Sequence, residues 1–232
     1  MSWGLFVTGT DTGVGKTLVA AALLQLAAQA GLKAVGMKPV AAGCERVGAR
    51  CVYGDVETLV AAGSVAAPLE WINPYRFPEP VAPHLAAATH GVSLEIEVMA
   101  RCFRELAARA ELVVVEGAGG FLVPLDARAT LADLAVRLEL PVVLVVGMRL
   151  GCLNHALLTA EAIARRGLEL AGWVANRIDP AMARFEDNLD TLRARLAAPL
   201  LGVVPAFSAP PDSVAAAPHL CLPPGLARPP GA

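Results

Sequence analysis

The chain has 232 residues, a formal net charge of −2, and 56% hydrophobic against 17% charged residues. This length suits one well-cored α/β domain, residues 1–232 as a single unit, and leaves little room for a second. With no basic stripe or Lys/Arg cluster, a broad nucleic-acid footprint is excluded, while small acidic metabolites need only a local site. The five cysteines (Cys44, Cys51, Cys102, Cys152, Cys221) contain no C-x-x-C pair and are expected to be reduced thiols of a cytoplasmic protein, not a zinc site. The N-terminus passes straight into an apolar strand without the regions of a signal peptide, and the apolar runs at 112–115 and 140–146 are of strand length, so no membrane span is expected.

Residues 5–7 form that first strand, and a glycine-rich turn leads from it into residues 17–30, which are apolar nearly all round, as in a helix buried beside a sheet. Gly31 is placed to end the helix. A second strand spans 34–38, residues 40–54 read as a loop carrying Gly43, Gly48 and Gly54, and a short helix covers 55–62. Residues 68–83 hold five prolines with Trp71, Tyr75 and Phe77, the composition of an irregular covering segment and not of a flexible linker. Helical periodicity returns over 94–109. A buried strand at 112–116, Gly117-Ala118-Gly119-Gly120, a helix at 130–138 and a strand at 142–146 follow. A turn at 147–151, a helix at 153–166 stopped by Gly167, a strand at 172–176, a helix at 180–197 and a strand at 201–204 complete the pattern. From about residue 206 proline and alanine dominate and the tail is expected to be irregular. Apolar strands alternating with helices predict a doubly wound, mostly parallel sheet with helices on both faces.

The turn after the first strand, Gly9-Thr10-Asp11-Thr12-Gly13-Val14-Gly15-Lys16-Thr17, has the chemistry of a polyphosphate cradle. Glycines let backbone N–H groups approach phosphate oxygens, and the helix N-terminus adds partial positive charge. Lys16 brings a full charge to the outer phosphates and the Thr17 hydroxyl a ligand for Mg²⁺. Five residues separate Gly9 from Gly15, one more than in the strict G-x-x-x-x-G-K-[ST] form, but a mere turn would need neither the lysine nor the threonine.

Ligands of open parallel sheets bind outside the carboxyl ends of the strands, and Lys38, Glu116 and Asn176 each end or follow a predicted strand there. Glu116 is a candidate Mg²⁺ ligand because the adjoining glycines let a ligand approach closely; the alternative is a solvated strand-end carboxylate. Asp55 is a weaker candidate, since any helix can open on an acidic residue. Lys38 either snorkels to the surface or neutralises charge on a transferring phosphoryl group. The turn Leu150-Gly151-Cys152-Leu153-Asn154 is either an ordinary βα turn with Asn154 near the cap or an anion-binding helix start. His84, His90 and His155 lack metal-ligand spacing, and no nucleophile elbow occurs.

Together the glycine loop, Gly36-Met37-Lys38-Pro39-Val40, Val115-Glu116-Gly117-Ala118-Gly119-Gly120, Leu150-Gly151-Cys152-Leu153-Asn154-His155-Ala156 and Gly172-Trp173-Val174-Ala175-Asn176 resemble the dethiobiotin synthetase family of P-loop NTPase-like enzymes. Asn73-Pro74-Tyr75, Glu79-Pro80 and Pro83-His84 resemble that family's covering segment, and the longer glycine spacing is the family's own form. The resemblance runs from residue 4 to about 205. It implies an ATP- and Mg²⁺-dependent cyclo-ligase of biotin synthesis that joins CO₂ to 7,8-diaminononanoate. One amine becomes a carbamate, the carbamate takes the γ-phosphoryl group, and the second amine displaces phosphate to close the ureido ring.

By resemblance, Thr12, Gly13, Val14, Gly15, Lys16, Thr17 and Leu18 bind ATP, with Lys16 at the β- and γ-phosphates, Glu116 and Gly117 beside them and Asn176 at the adenine. Thr17, Asp55 and Glu116 are the implied Mg²⁺ ligands. Lys38 and Lys16 are the implied catalytic residues, Lys38 at the carbamate and the transferring phosphoryl group. Ala42 and the Gly151, Cys152, Leu153, Asn154 turn are the implied substrate contacts; in the family the turn comes from the partner of a homodimer. Two departures stand out: Ala42 replaces a family serine, and Asn188 aligns with a family tyrosine. One rival reading is a nucleotide-operated switch of the partitioning or site-placement type, whose early loop lysine is replaced here by Asp11. Another is a corrinoid amidating ligase, which would carry an added glutaminase domain.

Overall fold

The computed structural model describes residues 3–48, 50–207 and 212–226. In chain order, β1 (Trp3–Gly9) runs through the glycine loop into α1 (Lys16–Gln29), followed by β2 (Ala34–Met37), β3 (Val40–Ala42), β4 (Glu45–Val47), β5 (Arg50–Val52) and α2 (Gly54–Ala62). The middle of the chain forms α3 (Leu69–Ile72), β6 (Tyr75–Phe77), α4 (Pro83–Thr89), α5 (Ile96–Ala107), β7 (Leu112–Gly120) and α6 (Leu131–Leu138). The last third contains β8 (Val142–Gly147), α7 (Cys152–Arg165), β9 (Leu170–Asn176), α8 (Phe185–Arg195), β10 (Leu200–Val204) and α9 (Ser213–Ala216). No helix among the described residues is long and apolar enough to cross a membrane.

One parallel sheet, ordered β10-β9-β8-β1-β7-β2, forms the centre. Its strands are apolar on both faces because helices cover both. Leu5, Val7, Leu112, Val114, Val143, Val145 and Val174 pack with the side chains of α1, α2 and α9. On the opposite face Phe6, Val35, Met37, Val113 and Val115 meet residues of α5 and α6, while Leu144, Val146, Trp173 and Ala175 meet α7 and α8. Because α1 lies between the sheet on one side and α2 with α9 on the others, its all-round apolar sequence is all needed.

β2 is an edge strand whose free side would leave backbone groups unpaired, and the segment after α2 closes it. Ser64 N donates to Ala34 O at 2.8 Å, Ala34 N donates to Ser64 Oγ at 2.9 Å, and Lys38 N donates to Ile72 O at 2.7 Å. The covering segment expected at 68–83 does cover, but it is more regular than its composition suggests: α3 and β6 form, and β6 pairs in parallel with β3.

Three other expectations change. Residues 40–54 are not a plain loop, since β4 and β5 form an antiparallel hairpin with Arg46 opposite Cys51. That hairpin brings the Cα atoms of Cys44 and Cys51 to 5.4 Å, and the two are joined as a disulfide, so the expectation of reduced thiols fails for this pair. Cys102, Cys152 and Cys221 are free. The helix expected from residue 180 begins at Phe185, after Arg184 adopts a left-handed φ of 56°.

The Pro/Ala-rich tail is ordered where it is described. Asp212 caps α9 by accepting from Ala215 N at 2.8 Å, and Ala216, Ala217, Leu220 and Leu226 are buried against the α1 side of the sheet. Cys221 N donates to Leu201 O at 2.8 Å, and Gly202 bridges to Leu220. Gly202 has φ +154°, and a Cβ there would collide with the His219 carbonyl. Gly202→Ala is therefore expected to cost about 1–3 kcal/mol in urea unfolding; an unchanged midpoint would show that the tail does not dock on β10.

Candidate active site

The sheet order separates the chain leaving β1 towards α1 from its neighbours β7 and β8, which opens a crevice at the strands' carboxyl ends. Into it the glycine loop folds. Gly15 has φ +88°, and a side chain there would strike Nδ2 of Asn176, so this position needs glycine for both reasons. Asn176, ending β9, donates that Nδ2 to Val14 O at 2.8 Å and so fixes the loop from below. Val14 itself is buried, while Thr12 and Gly13 are exposed at the crown.

Lys16, the first residue of α1, is only 6% exposed and donates to Asp11 O at 3.0 Å. Burial, and then the nearby Lys38 ammonium, lower its pKa from the ordinary 10.5 to about 8. A phosphate group arriving beside it would restore the charge that burial disfavours.

Lys38 follows β2 directly and is 3% exposed. Its ammonium reaches three acceptors, one for each proton: Glu116 Oε1 at 2.6 Å, Asp55 Oδ2 at 2.8 Å and the Gly117 carbonyl at 3.4 Å. Thr17 Oγ1 donates to the same Glu116 Oε1 at 2.8 Å. Burial pulls the Lys38 pKa down, but the carboxylates of Glu116 and Asp55 outweigh it and hold the group above its ordinary value. Burial likewise opposes the charged form of Asp55, yet Lys38 keeps that carboxyl below the usual range. For Glu116, 1% exposed, burial wins over Lys38 and raises the pKa. Glu116 Oε2 is buried and has no hydrogen-bond partner.

The backbone of Lys38 is held as firmly as its side chain. Asn73, fully buried, donates Nδ2 to Lys38 O at 2.6 Å and to Tyr75 O at 3.0 Å. A lone asparagine before a proline carries no periodic signal, so in the sequence it has only a place in a resemblance and no role.

A cavity of about 610 Å³ gathers Thr12, Gly13, Gly15, Lys16, Thr17, Lys38, Ala42, Asp55 and Glu116 in its wall, roofed by Pro80–Pro83 of the covering segment. Gly117 contributes its carbonyl to Lys38 from the side, and Leu18 lines an adjoining cavity of about 590 Å³ that shares Thr17 and Asp55 with the first. Gly151, Cys152, Leu153 and Asn154 are not in the wall of either cavity: Gly151, with φ +96°, starts α7, Cys152 is buried, and Asn154 is exposed. Asn188 also stands apart, half-buried on α8 and donating to Arg184 O at 2.8 Å.

The oxygen set suits a hard cation. Thr17, Asp55 and Glu116 supply a hydroxyl and two carboxylates, and the unpartnered Glu116 Oε2 is a buried acceptor in want of a positive partner. All three donors are hard oxygens, with no nitrogen or sulfur ligand among them, a donor set of the kind that Mg²⁺ takes. Removing the ammonium from between the two acids leaves Glu116 buried without its main counter-charge. Lys38→Met is expected to destabilise the protein by about 3–5 kcal/mol in urea unfolding, with most of the loss recovered by adding Glu116→Gln. An unchanged midpoint for Lys38→Met would mean the cluster is not packed as described.

A family model described as an AAA domain matches residues 3–209. The chain is 56% identical over 212 residues to the ATP-dependent dethiobiotin synthetase BioD of Aromatoleum aromaticum, covering 91% of this chain and 94% of the relative. It is 54% identical over 205 residues to the protein of that name from Nitrosospira multiformis, covering 88% and 89%, and 54% identical over 221 residues to that of Pseudomonas aeruginosa, covering 94% and 96%. Among solved structures, the septum site-determining protein MinD of Pyrococcus horikoshii, complexed with Mg-ADP, superposes with a TM-score of 0.57 at 16% identity, covering 88% of this chain and 82% of that one. MinD of Aquifex aeolicus gives 0.54 at 17% identity, covering 89% and 84%. The two MinD structures share the fold, whereas more than half of the residues match the first synthetase along nearly the whole of both chains; this chain belongs to the dethiobiotin synthetase family.

Proposed function

We propose that this protein is an ATP-dependent dethiobiotin synthetase, a cyclo-ligase that forms the ureido ring of dethiobiotin from 7,8-diaminononanoate and CO₂ in biotin biosynthesis. The observation that carries the reading is the meeting of Lys16, Thr17, Lys38, Asp55 and Glu116 in the wall of one cavity, in a chain so close to enzymes of that name. The likeness to MinD supports the shared architecture only.

In this reading the residues position and neutralise charge and form no covalent bond to substrate. Backbone N–H groups of Thr12–Leu18 and the Lys16 ammonium hold the triphosphate. Thr17, Asp55 and Glu116 hold Mg²⁺, which when bound offsets the negative charge of the phosphate oxygens. Lys38 exchanges one of its carboxylate partners for the carbamate and the moving phosphoryl group, and the half-exposed Asp55 is the partner more easily given up. The roof at Pro80–Pro83 limits water at the reacting carbamate. Gly117 lies beside the phosphates, and Asn176 has its Nδ2 committed to the loop and its Oδ1 left to accept from the adenine amino group. Ala42 lines the diamine end without the family hydroxyl.

The turn Gly151, Cys152, Leu153, Asn154 would hold the distal carboxylate of the substrate from a second subunit, which makes a homodimer part of this reading; within one chain the four residues line neither cavity. The chain would act as a single ATP-binding ligase domain in the cytoplasm. Nucleic acid and membrane have no part in it.

The test is mass-spectrometric detection of dethiobiotin from purified protein given ATP, Mg²⁺, the diamine and bicarbonate, with ADP release requiring both the diamine and bicarbonate. Lys16→Ala and Lys38→Ala are expected to lower turnover by at least about 100-fold, and Glu116→Gln to shift the Mg²⁺ titration to higher concentration. Absence of product, or ADP release that ignores the diamine, would overturn the assignment; an unmoved titration would remove Glu116 from the metal ligands.

A further inference from the structure

A carboxylate in the middle of a phosphate-binding loop needs explaining. Asp11 lies in the glycine loop, where a bound triphosphate brings several negative charges within a few ångströms, and a bare carboxylate would oppose it. It is not bare. Arg149, in the turn between β8 and α7, donates Nη2 to Asp11 Oδ2 at 2.5 Å across 138 positions of sequence.

Three bonds fix the Asp11 residue. Oδ1 accepts from Thr12 N at 2.7 Å, Oδ2 from Arg149, and its carbonyl oxygen accepts from the Lys16 ammonium at 3.0 Å. The loop's preceding residue is tied to β8, the strand that leads into the Arg149 turn: Thr10 N donates to Val145 O at 3.0 Å, and Gly147 N donates to Thr10 Oγ1 at 3.3 Å. The side chains of Arg149 and Asp11 are 44% and 45% exposed, so the pair adds little to stability. Its effect falls on loop charge and loop position.

We propose that Arg149 is a positioning residue for nucleotide binding: it neutralises Asp11 and holds that residue's carbonyl where it stations Lys16. This rests on the ATP-binding reading of the loop. Without Arg149 the Asp11 carboxylate stands unpaired beside the triphosphate, and its carbonyl is free to drift from Lys16.

The experiment measures ATP binding directly by titration calorimetry, independently of turnover, alongside the dethiobiotin assay. Arg149→Ala is expected to weaken ATP binding by about tenfold at low ionic strength, with the defect shrinking as salt screens the carboxylate. Arg149→Lys should bind ATP nearly as the unaltered protein does. Adding Asp11→Asn to Arg149→Ala should restore most of the lost affinity, because the offending charge is gone. A residue that only braced the fold would show neither the salt dependence nor the rescue. Arg149→Ala with unaltered ATP affinity, or a double variant as weak as Arg149→Ala, would overturn the inference. Failure of the unaltered protein to make dethiobiotin while it binds ATP would instead overturn the assigned reaction and leave this test standing.

Discussion

The buried ammonium of Lys38 is the constraint around which the site is arranged. A lysine at the carboxyl end of a parallel strand, out of water, is tolerable only when acceptors surround it. Here they come from three places: Asp55 at the start of α2, Glu116 within β7, and the Gly117 carbonyl. Those acids must therefore stand close together, and Thr17 joins them through Glu116. The arrangement costs desolvation of Lys38 and Glu116, with Asp55 left half-exposed, a cost the fold bears through its apolar sheet and helices. A charged cluster this buried serves chemistry better than stability, since removing either sign would strand the other.

That cluster explains why the glycine loop and the strand ends act as one unit. The loop brings Lys16 and Thr17 into the wall of the same cavity as the acids and Lys38, and Thr17 touches Glu116 directly. Both signs of charge line the cavity, two lysines and two carboxylates, so it offers partners to an anion and to a cation. Asn176 secures the loop from beneath, and Asp11 with Arg149 secures it at the crown.

Much of this was legible in the sequence. The fully apolar strands at β1, β7 and β8, the all-round apolar α1 and the strand-end positions of Lys38, Glu116 and Asn176 follow from periodicity and glycine placement, because both faces of the sheet are covered. What escaped was short or exposed. β4 and β5 are three-residue strands lying almost wholly in solvent, so they carry no buried face for alternation to reveal. The Cys44–Cys51 pairing depends on the register of that hairpin, which spacing alone does not specify. α9 is four residues long, too short for a helical period, and its apolar residues read as part of a proline-rich tail. Asn73 acts through two backbone carbonyls, those of Lys38 and Tyr75, and leaves no periodic pattern. For Asp55 the sequence left a choice between a cap and a ligand, and the contact with Lys38 places it in the cluster.

The closure of the β2 edge has a consequence for how this protein fails. The same stretch of chain, from Ser64 through Asn73, both bonds the outer backbone of Ala34 at the start of β2 and holds the backbone of Lys38 just past its end. Loosening it would bare an unpaired, apolar strand to neighbouring molecules at the moment the lysine lost its anchor. Damage to this strap would therefore surface as self-association in concentrated solution, with inactivity and precipitation arriving together.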